Sequence, residues 1–285
     1  MTQSAAQLFA IAATMNALTD SKHFVTQHYY VSIPGTQHTL SVASFRLEEA
    51  FNTAFHADIV VTSADLAISG AGCIGRWAYF QIEGEAPPTP GMKAAREMLR
   101  TVHGVITEWE HVSSSRDEAC YRLRLEPRFA LLRQTTDSRV FLDTCLKDLL
   151  IDSVVERKVF EPFDVECEFE QPQVRLEQVL MYEESIDHFI GRHCRKAGVF
   201  FYFKHADDAQ GARRDTLVFA DSAKGYVRAL EVPVAEHAGL ESVGREAIHT
   251  LRTVRVSVPE TISLWDYNYR TPWRHKRAWR TTTAR

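Results

Sequence analysis

Apolar and charged positions alternate along much of the chain beyond residue 22. Phe55, Ala57, Ile59 and Val61 alternate with His56 and Asp58, and Tyr121, Leu123 and Leu125 with Arg122 and Arg124. Val165, Cys167 and Phe169 alternate with Glu166 and Glu168, and Val254, Val256 and Val258 with Thr253, Arg255 and Ser257. A period of two, with one apolar and one polar face, predicts strands of a sheet buried on one side, the habit of antiparallel sheets. Gly104–Glu110, Val199–Phe203, Leu217–Ala220 and Ile262–Tyr267 read as further strands. The unbroken run Val199-Phe-Phe-Tyr-Phe203 predicts a strand covered on both faces.

Helical spacing appears in three places. Leu8, Ile11, Ala12 and Met15 predict a short amphipathic helix near the start. Leu142, Leu146, Leu149 and Leu150 share one helical face, with Asp143 placed to cap it. Tyr182, Ile186, Phe189, Ile190, His193 and Ala197 form the longest stripe, with Ser185 as a cap and Gly198 where a left-handed residue would end the helix. The apolar strand at 199 follows at once.

Two segments read as connections. Glu83–Gly91 carries Pro87, Pro88, Pro90 and two glycines and predicts a loop between strands. Ala206–Arg214 is polar and predicts a hairpin connection. No repeat with a solenoid period is present. From Arg274 to Arg285 there are five basic residues and no acidic one, which predicts a solvated tail, or else a basic arm for an acidic partner.

Composition narrows the class. The 285 residues are 45% hydrophobic and 25% charged, as in folded globular proteins, and exceed one average domain. A net charge of −4 argues against a primarily nucleic-acid-binding protein. The five cysteines at 73, 120, 145, 167 and 194 form no CxxC pair, which predicts free thiols in a reducing compartment. The apolar stretch Leu8–Leu18 is too short to span a bilayer and no basic residue precedes it, so neither membrane insertion nor a secretory signal is expected.

Candidate chemistry is sparse. GxSxG, GxxxxGK[ST] and HExxH are missing. Gly70-Ala-Gly72 with Gly75 sits among strands and reads as a turn. His188 and His193 are five apart on one predicted helix, out of phase for a shared metal. Glu166 and Glu168 share one strand face, whereas catalytic carboxylate pairs face each other across a cleft. Asp207-Asp208 reads as loop. No catalytic, cofactor or metal site is expected, and no cofactor.

Leu125–Leu132, Tyr182–Arg192 and Ala197–His205, with three shorter stretches, taken together resemble the VgrG family, the spike proteins of bacterial type VI secretion systems and relatives of phage tail hubs. Leu125-Glu-Pro-Arg-Phe-Ala-Leu-Leu132 with Arg139-Val-Phe141 resembles its "LxPxLxLLxxxxxxRIF" region. Tyr182-Glu-Glu-Ser-Ile-Asp-His-Phe-Ile-Gly-Arg192, continuing to Ala197-Gly-Val-Phe-Phe-Tyr-Phe-Lys-His205, is similar to "YxESDxxFIxRLxExEGIxYYFxH". His103-Gly-Val-Ile106, Leu217-Val-Phe-Ala-Asp-Ser222 and Leu264-Trp-Asp-Tyr-Asn-Tyr-Arg-Thr-Pro272 fit three further motifs in family order.

The resemblance implies an α+β, mainly β fold of phage tail hub type, with two β-barrel-like tube domains and small α/β insertions. On that plan residues 1–21 are a helical extension, 22–130 the first tube domain, 131–175 a small α/β insertion, 176–272 a second α/β and barrel-like portion, and 273–285 the basic tail. It implies a non-enzymatic homotrimer with pseudo-sixfold symmetry, seated on a hexameric Hcp-like tail-tube ring. Such a protein would be cytoplasmic before firing and leave through the apparatus without a signal peptide. A separately encoded needle, effector or adaptor would be a further partner. The family pattern is expected to end at Pro272, before the OB-fold and β-helix needle of longer relatives, as in a truncated, frameshifted or split subunit.

The Arg122/Arg124 and Glu166/Glu168 faces are opposite in sign, which predicts that they meet between subunits or line the tube and fix register there. Two other readings remain open at this level: a phage or prophage hub, and a β-rich enzyme or binding module whose site carries no recognisable motif.

Overall fold

The structure is a computed structural model describing residues 28–85, 96–207, 213–222, 248, 250–257, 259–266, 270 and 276–281. The chain divides into two units, Met1–Ala229 and Leu230–Arg285. The α+β, mainly β class is as expected, with thirteen strands and two α-helices among the described residues. The predicted helix at 8–18 and the 86–91 part of the predicted loop lie outside them.

Six strands build the first sheet: β1 (Tyr29–Ser32), β2 (Ser41–Glu48), β3 (His56–Ser63), β4 (Trp77–Glu85), β5 (Arg96–Ser114) and β6 (Ala119–Glu126). They lie in the order β1-β4-β5-β6-β3-β2, every neighbour antiparallel. The alternation does what it predicted. Ala57, Ile59 and Val61 of β3 and Leu123 and Leu125 of β6 are wholly buried on one face, while Asp58 and Arg124 pair on the other. The sheet curls until its end strands approach: the Tyr29 ring of β1 lies 5.0 Å from Phe45 of β2, and Phe45 lies 4.7 Å from Phe80 of β4. Among the described residues no ladder pairs β1 with β2, and packed side chains, these rings together with Val31, Val42 and Leu47, close the half-barrel there. Gly70–Gly72 forms a 3-10 turn and Gly75 has φ +76°, as expected of a turn.

The second half of the unit runs β7 (Thr136–Cys145), α1 (Leu146–Val155), β8 (Val165–Glu168), β9 (Arg175–Ser185), α2 (Ile186–Ala197), β10 (Phe200–Asp207) and β11 (Arg213–Ala220). This is strand–helix–strand twice over. β7 and β9 pair antiparallel. β8 and β10 flank β11, one parallel and one antiparallel to it. β10 and β11 pair antiparallel; of the predicted connection Ala206–Arg214, residues 206–207 and 213–214 belong to the strands and 208–212 lie outside the described residues. Both helices bury their stripes in one core with Phe129, Phe201 and Phe219. Phe203 touches this core and the half-barrel core alike, and Asn52, at φ +63°, clamps Phe201 through two backbone-directed hydrogen bonds of 2.9 and 3.0 Å. In β10, Phe201 is buried, while Phe200 and Tyr202 on the opposite face meet the Phe51 ring at 5.3 and 6.0 Å.

Three expectations need correction. The first helix begins at Leu146, not Leu142, and its N-cap is Cys145. Leu142 and Asp143 belong to β7, where Asp143 (φ +52°) pairs with Arg175. Tyr182 likewise belongs to β9, 67% exposed, and the second helix starts one turn later. Residues 254–257 form no strand, and Val254 and Val256 are exposed. Alternation marks a face that could be buried, but a strand forms only where another backbone pairs with it.

In the second unit β12 (Thr261–Asp266) pairs antiparallel with β13 (Lys276–Thr281). Part of the basic tail is therefore a strand, not solvated coil. No alternation of apolar and polar residues marks this strand in the sequence; only its pairing with β12 reveals it.

Candidate functional site

The sequence motifs converge on a buried ionic joint. Pro127 ends β6, and Arg128 opens a 3-10 turn over Arg128–Gln134. Arg128 donates its backbone N–H and Nε to the two Asp215 carboxylate oxygens at 2.7 Å each, and Nη2 to the Asp215 carbonyl at 2.9 Å. Its Nη1 reaches Asp164 at 2.9 Å and the Val159 carbonyl at 3.1 Å. The guanidinium also lies over the rings of Phe160 and Trp77, at 4.5 and 4.9 Å. Asp215 is wholly buried. Burial pushes its carboxyl up, against the opposing pull of Arg128. A planar fork with five donors suits this site better than any other cation. The joint ties the half-barrel to β11 and to the turn before β8.

A second motif residue guards the same seam. Gly104 of β5 faces the Glu126 carbonyl so closely that a Cβ there would collide with it. Glu126 in turn receives Thr107 Oγ1 at 2.5 Å and Arg133 at 2.6 Å.

The longest motif forms the β9–α2 corner. Ser185 occupies the N-cap and donates to Asp187 at 2.5 Å. Glu184 takes Arg192 and, at 3.0 Å, His188. Burial would raise the Glu184 carboxyl, but these partners hold it below its ordinary range. Gly198 ends the helix at φ +72°, as predicted, returning Val199 N–H to the Cys194 carbonyl at 2.9 Å. His193 is buried against Phe189, ring centroids 4.6 Å apart. Burial, then Arg192 and Lys196, press its pKa down to about 4. Burial lifts the Cys194 thiol to about 12 and that of Cys167 to about 11, so both stay protonated at neutral pH. All five cysteines are free thiols.

The four candidate interface residues lie on two different sheets and are not brought together. Arg122 pairs with Glu110 at 2.8 Å, and Arg124 with Asp58 at 2.7 Å and Glu108 at 3.0 Å. These are cross-strand pairs within the half-barrel. Glu166 and Glu168 both receive Lys204 at 2.8 Å. Lys204 stands on β10 and reaches across the middle strand β11 to do so. Burial lowers the ammonium pKa, but its bonds to both carboxylates more than offset that and hold it above its ordinary value. Each face therefore meets its countercharge within its own sheet. Arg128, Asp164, Asp215 and Lys204 escaped the sequence reading. Arg128 and Lys204 stand inside quoted motifs, but their partners lie far along the chain and only the sheet order reveals them.

A family model described as the phage tail baseplate hub (GPD) matches residues 48–284. Among curated proteins, the type VI secretion system spike protein VgrG4b of Pseudomonas aeruginosa is 23% identical over 202 residues, 70% of this chain and 22% of that protein. VgrG5 of the same organism is 26% identical over 221 residues, 75% of this chain and 25% of that protein. The chain thus spans roughly a quarter of the length of these relatives. Among solved structures, the E. coli c3393 protein superposes with a TM-score of 0.61 at 30% identity, covering 72% of this chain and 52% of that one. It is described as a component of the type VI secretion system with structural similarity to the T4 bacteriophage tail proteins gp27 and gp5. The family match runs to residue 284 and takes in most of the basic segment.

Proposed function

The chain belongs to the phage tail baseplate hub (GPD) family, and from that premise we propose that it is a structural tip or hub component of a contractile injection apparatus, the N-terminal part of a type VI secretion spike. The observation that carries this reading is the family match over residues 48–284. Its mainly β fold with a curled sheet supports it. Three copies form a ring that docks on a hexameric Hcp-like tube, and the chain makes and breaks no bonds itself. The ring assembles in the cytoplasm and leaves through the apparatus, with a needle, effector or adaptor as a further partner. The division at residues 21/22, 130/131, 175/176 and 272/273 is part of this reading. So is a register role at the ring boundary for Arg122, Arg124, Glu166 and Glu168. Already neutralised in place, these pairs add little energy to a contact, but they penalise a misaligned neighbour.

Light scattering on the purified full chain, alone and with tube protein, tests the proposal. A trimer, or a monomer that joins the tube protein, is expected. A stable monomer that ignores the tube overturns it, as does turnover of a compound abolished by one substitution. The family description favours a second reading, a phage baseplate hub. Co-assembly with a phage tube protein but not with a secretion tube protein would select it.

A further inference from the structure

The β7–β9 pair is an unfinished element. Two-stranded sheets are marginal in water unless something covers them, and β9 has no strand on its far side among the described residues. Its outer face also exposes Val140, Leu142, Leu180 and Tyr182. Along β9 runs a groove of about 700 Å³. The consecutive residues Gln178, Val179 and Leu180 all line it. Successive side chains of a strand point to opposite faces, so a groove touching all three follows the strand's backbone edge. The Leu180 carbonyl points away from β7 and accepts Arg192 Nη2 at 3.1 Å, so this edge is turned toward α2, and a side chain already occupies one of its acceptors.

The rest of the lining is mixed: an apolar floor is rimmed by Gln171, Gln173, Arg192, His193, Lys196 and Asp221. Leu146, Val174, Leu176 and Val199 supply most of that floor, and the last turn of α2 forms the opposite wall. His193 also lines the groove and is 7% exposed, and its Nε2 is buried without a hydrogen-bond partner. A buried polar nitrogen left unpaired is costly, and native structures keep few of them. Lys196 stands exposed at the rim and makes no ion pair among the described residues. The carboxylate on the lining, Asp221, is already engaged by the backbone N–H groups of Glu170 and Gln171 at 2.9 and 3.0 Å.

We propose that this groove takes an extended apolar segment of a partner polypeptide, added to β9 as a further strand, with an acidic group of that segment at Lys196. Strand addition gives affinity through the main chain and specificity through alternate side chains. An acyl chain could fill the apolar lining but would leave the strand edge without donors and acceptors. A peptide backbone supplies both, and brings a group within reach of His193 Nε2. The site lies within one chain and stands whether or not copies assemble into a ring.

The test is fluorescence polarisation of a labelled heptapeptide of alternating valine and threonine ending in glutamate, titrated with the full chain. Three analogues accompany it: one ending in lysine, one with proline at its centre, and unlabelled myristate as competitor. The glutamate peptide is expected to bind saturably, and the proline and lysine analogues at least about tenfold more weakly. Lys196→Glu, at an exposed position, should retain the circular dichroism of the parent and invert the preference between glutamate and lysine ends. Equal binding of the proline analogue overturns the proposal, as does an unchanged preference in Lys196→Glu. So does displacement of the bound peptide by myristate more readily than by unlabelled peptide, or no peptide binding up to about millimolar. A mass change showing a second copy in the groove overturns it as well.

Discussion

Arg128 and Asp215, 87 positions apart, exchange three hydrogen bonds of 2.7 to 2.9 Å, one from the main chain and two from the guanidinium. The pair holds the half-barrel against β11. Breaking a buried ion pair from one side strands the other charge where water cannot reach it. Arg128→Met is therefore expected to cost on the order of 3–5 kcal/mol, leaving Asp215 and Asp164 uncompensated. Urea unfolding measures this, and a loss below about 1 kcal/mol would show that the joint carries no structural burden. Arg128→Lys should also destabilise, since an ammonium cannot reproduce the fork.

His193 makes stability depend on pH in a stated direction. Its folded pKa of about 4 lies below the unfolded value of 6.5, so the unfolded chain protonates first as pH falls. Its contribution is fully present above pH 6.5 and is lost as pH falls toward 4, on the order of 3 kcal/mol in all. Replacing it by leucine should flatten the stability profile between those pH values. A profile of unchanged slope in His193→Leu would assign the dependence to other groups.

Gly104→Ala places a methyl group against the Glu126 carbonyl. Backbone cannot give way as a flexible side chain can, and a loss of about 1–3 kcal/mol is expected. Gly72→Ala is the control, because a Cβ at Gly72 meets nothing within 4 Å. Equal midpoints for the two variants in denaturant would refute the collision.

Glu166→Lys with Glu168→Lys removes both partners of Lys204 and sets like charges beside it. These groups are partly exposed, so the fold should survive with a loss of about 1–2 kcal/mol. The informative readout is mass in solution. A smaller assembly than the parent places the pair at a subunit boundary, whereas an unchanged mass removes it from one.

The two helix starts show what the sequence could and could not tell. Ser185 and Gly198 were legible as the ends of α2 because end signals are local, although the Ser185 hydroxyl is spent on Asp187 and caps no helix N–H. Leu142 and Tyr182 were not legible as strand residues. Both β7 and β9 run straight into a helix with no loop between, and each exposes apolar side chains that happen to continue the helical stripe by one turn. Half-barrel strands such as β3 were plain because one face is buried and the other, His56, Asp58, Val60 and Thr62, is mostly polar and half-exposed. The Arg128 joint and the Lys204 bridge depend on which strands become neighbours, and that order is written nowhere in local pattern.

The contact between Tyr29 and Phe45 gives the half-barrel a particular mechanical character. Hydrogen-bonded strands must break bonds to shift past one another, whereas aromatic rings keep most of their attraction while they slide and tilt. A wall closed along one line by packed side chains can alter its girth there without unzipping a ladder, so the curvature of this sheet depends at that line on packing and not on paired backbone.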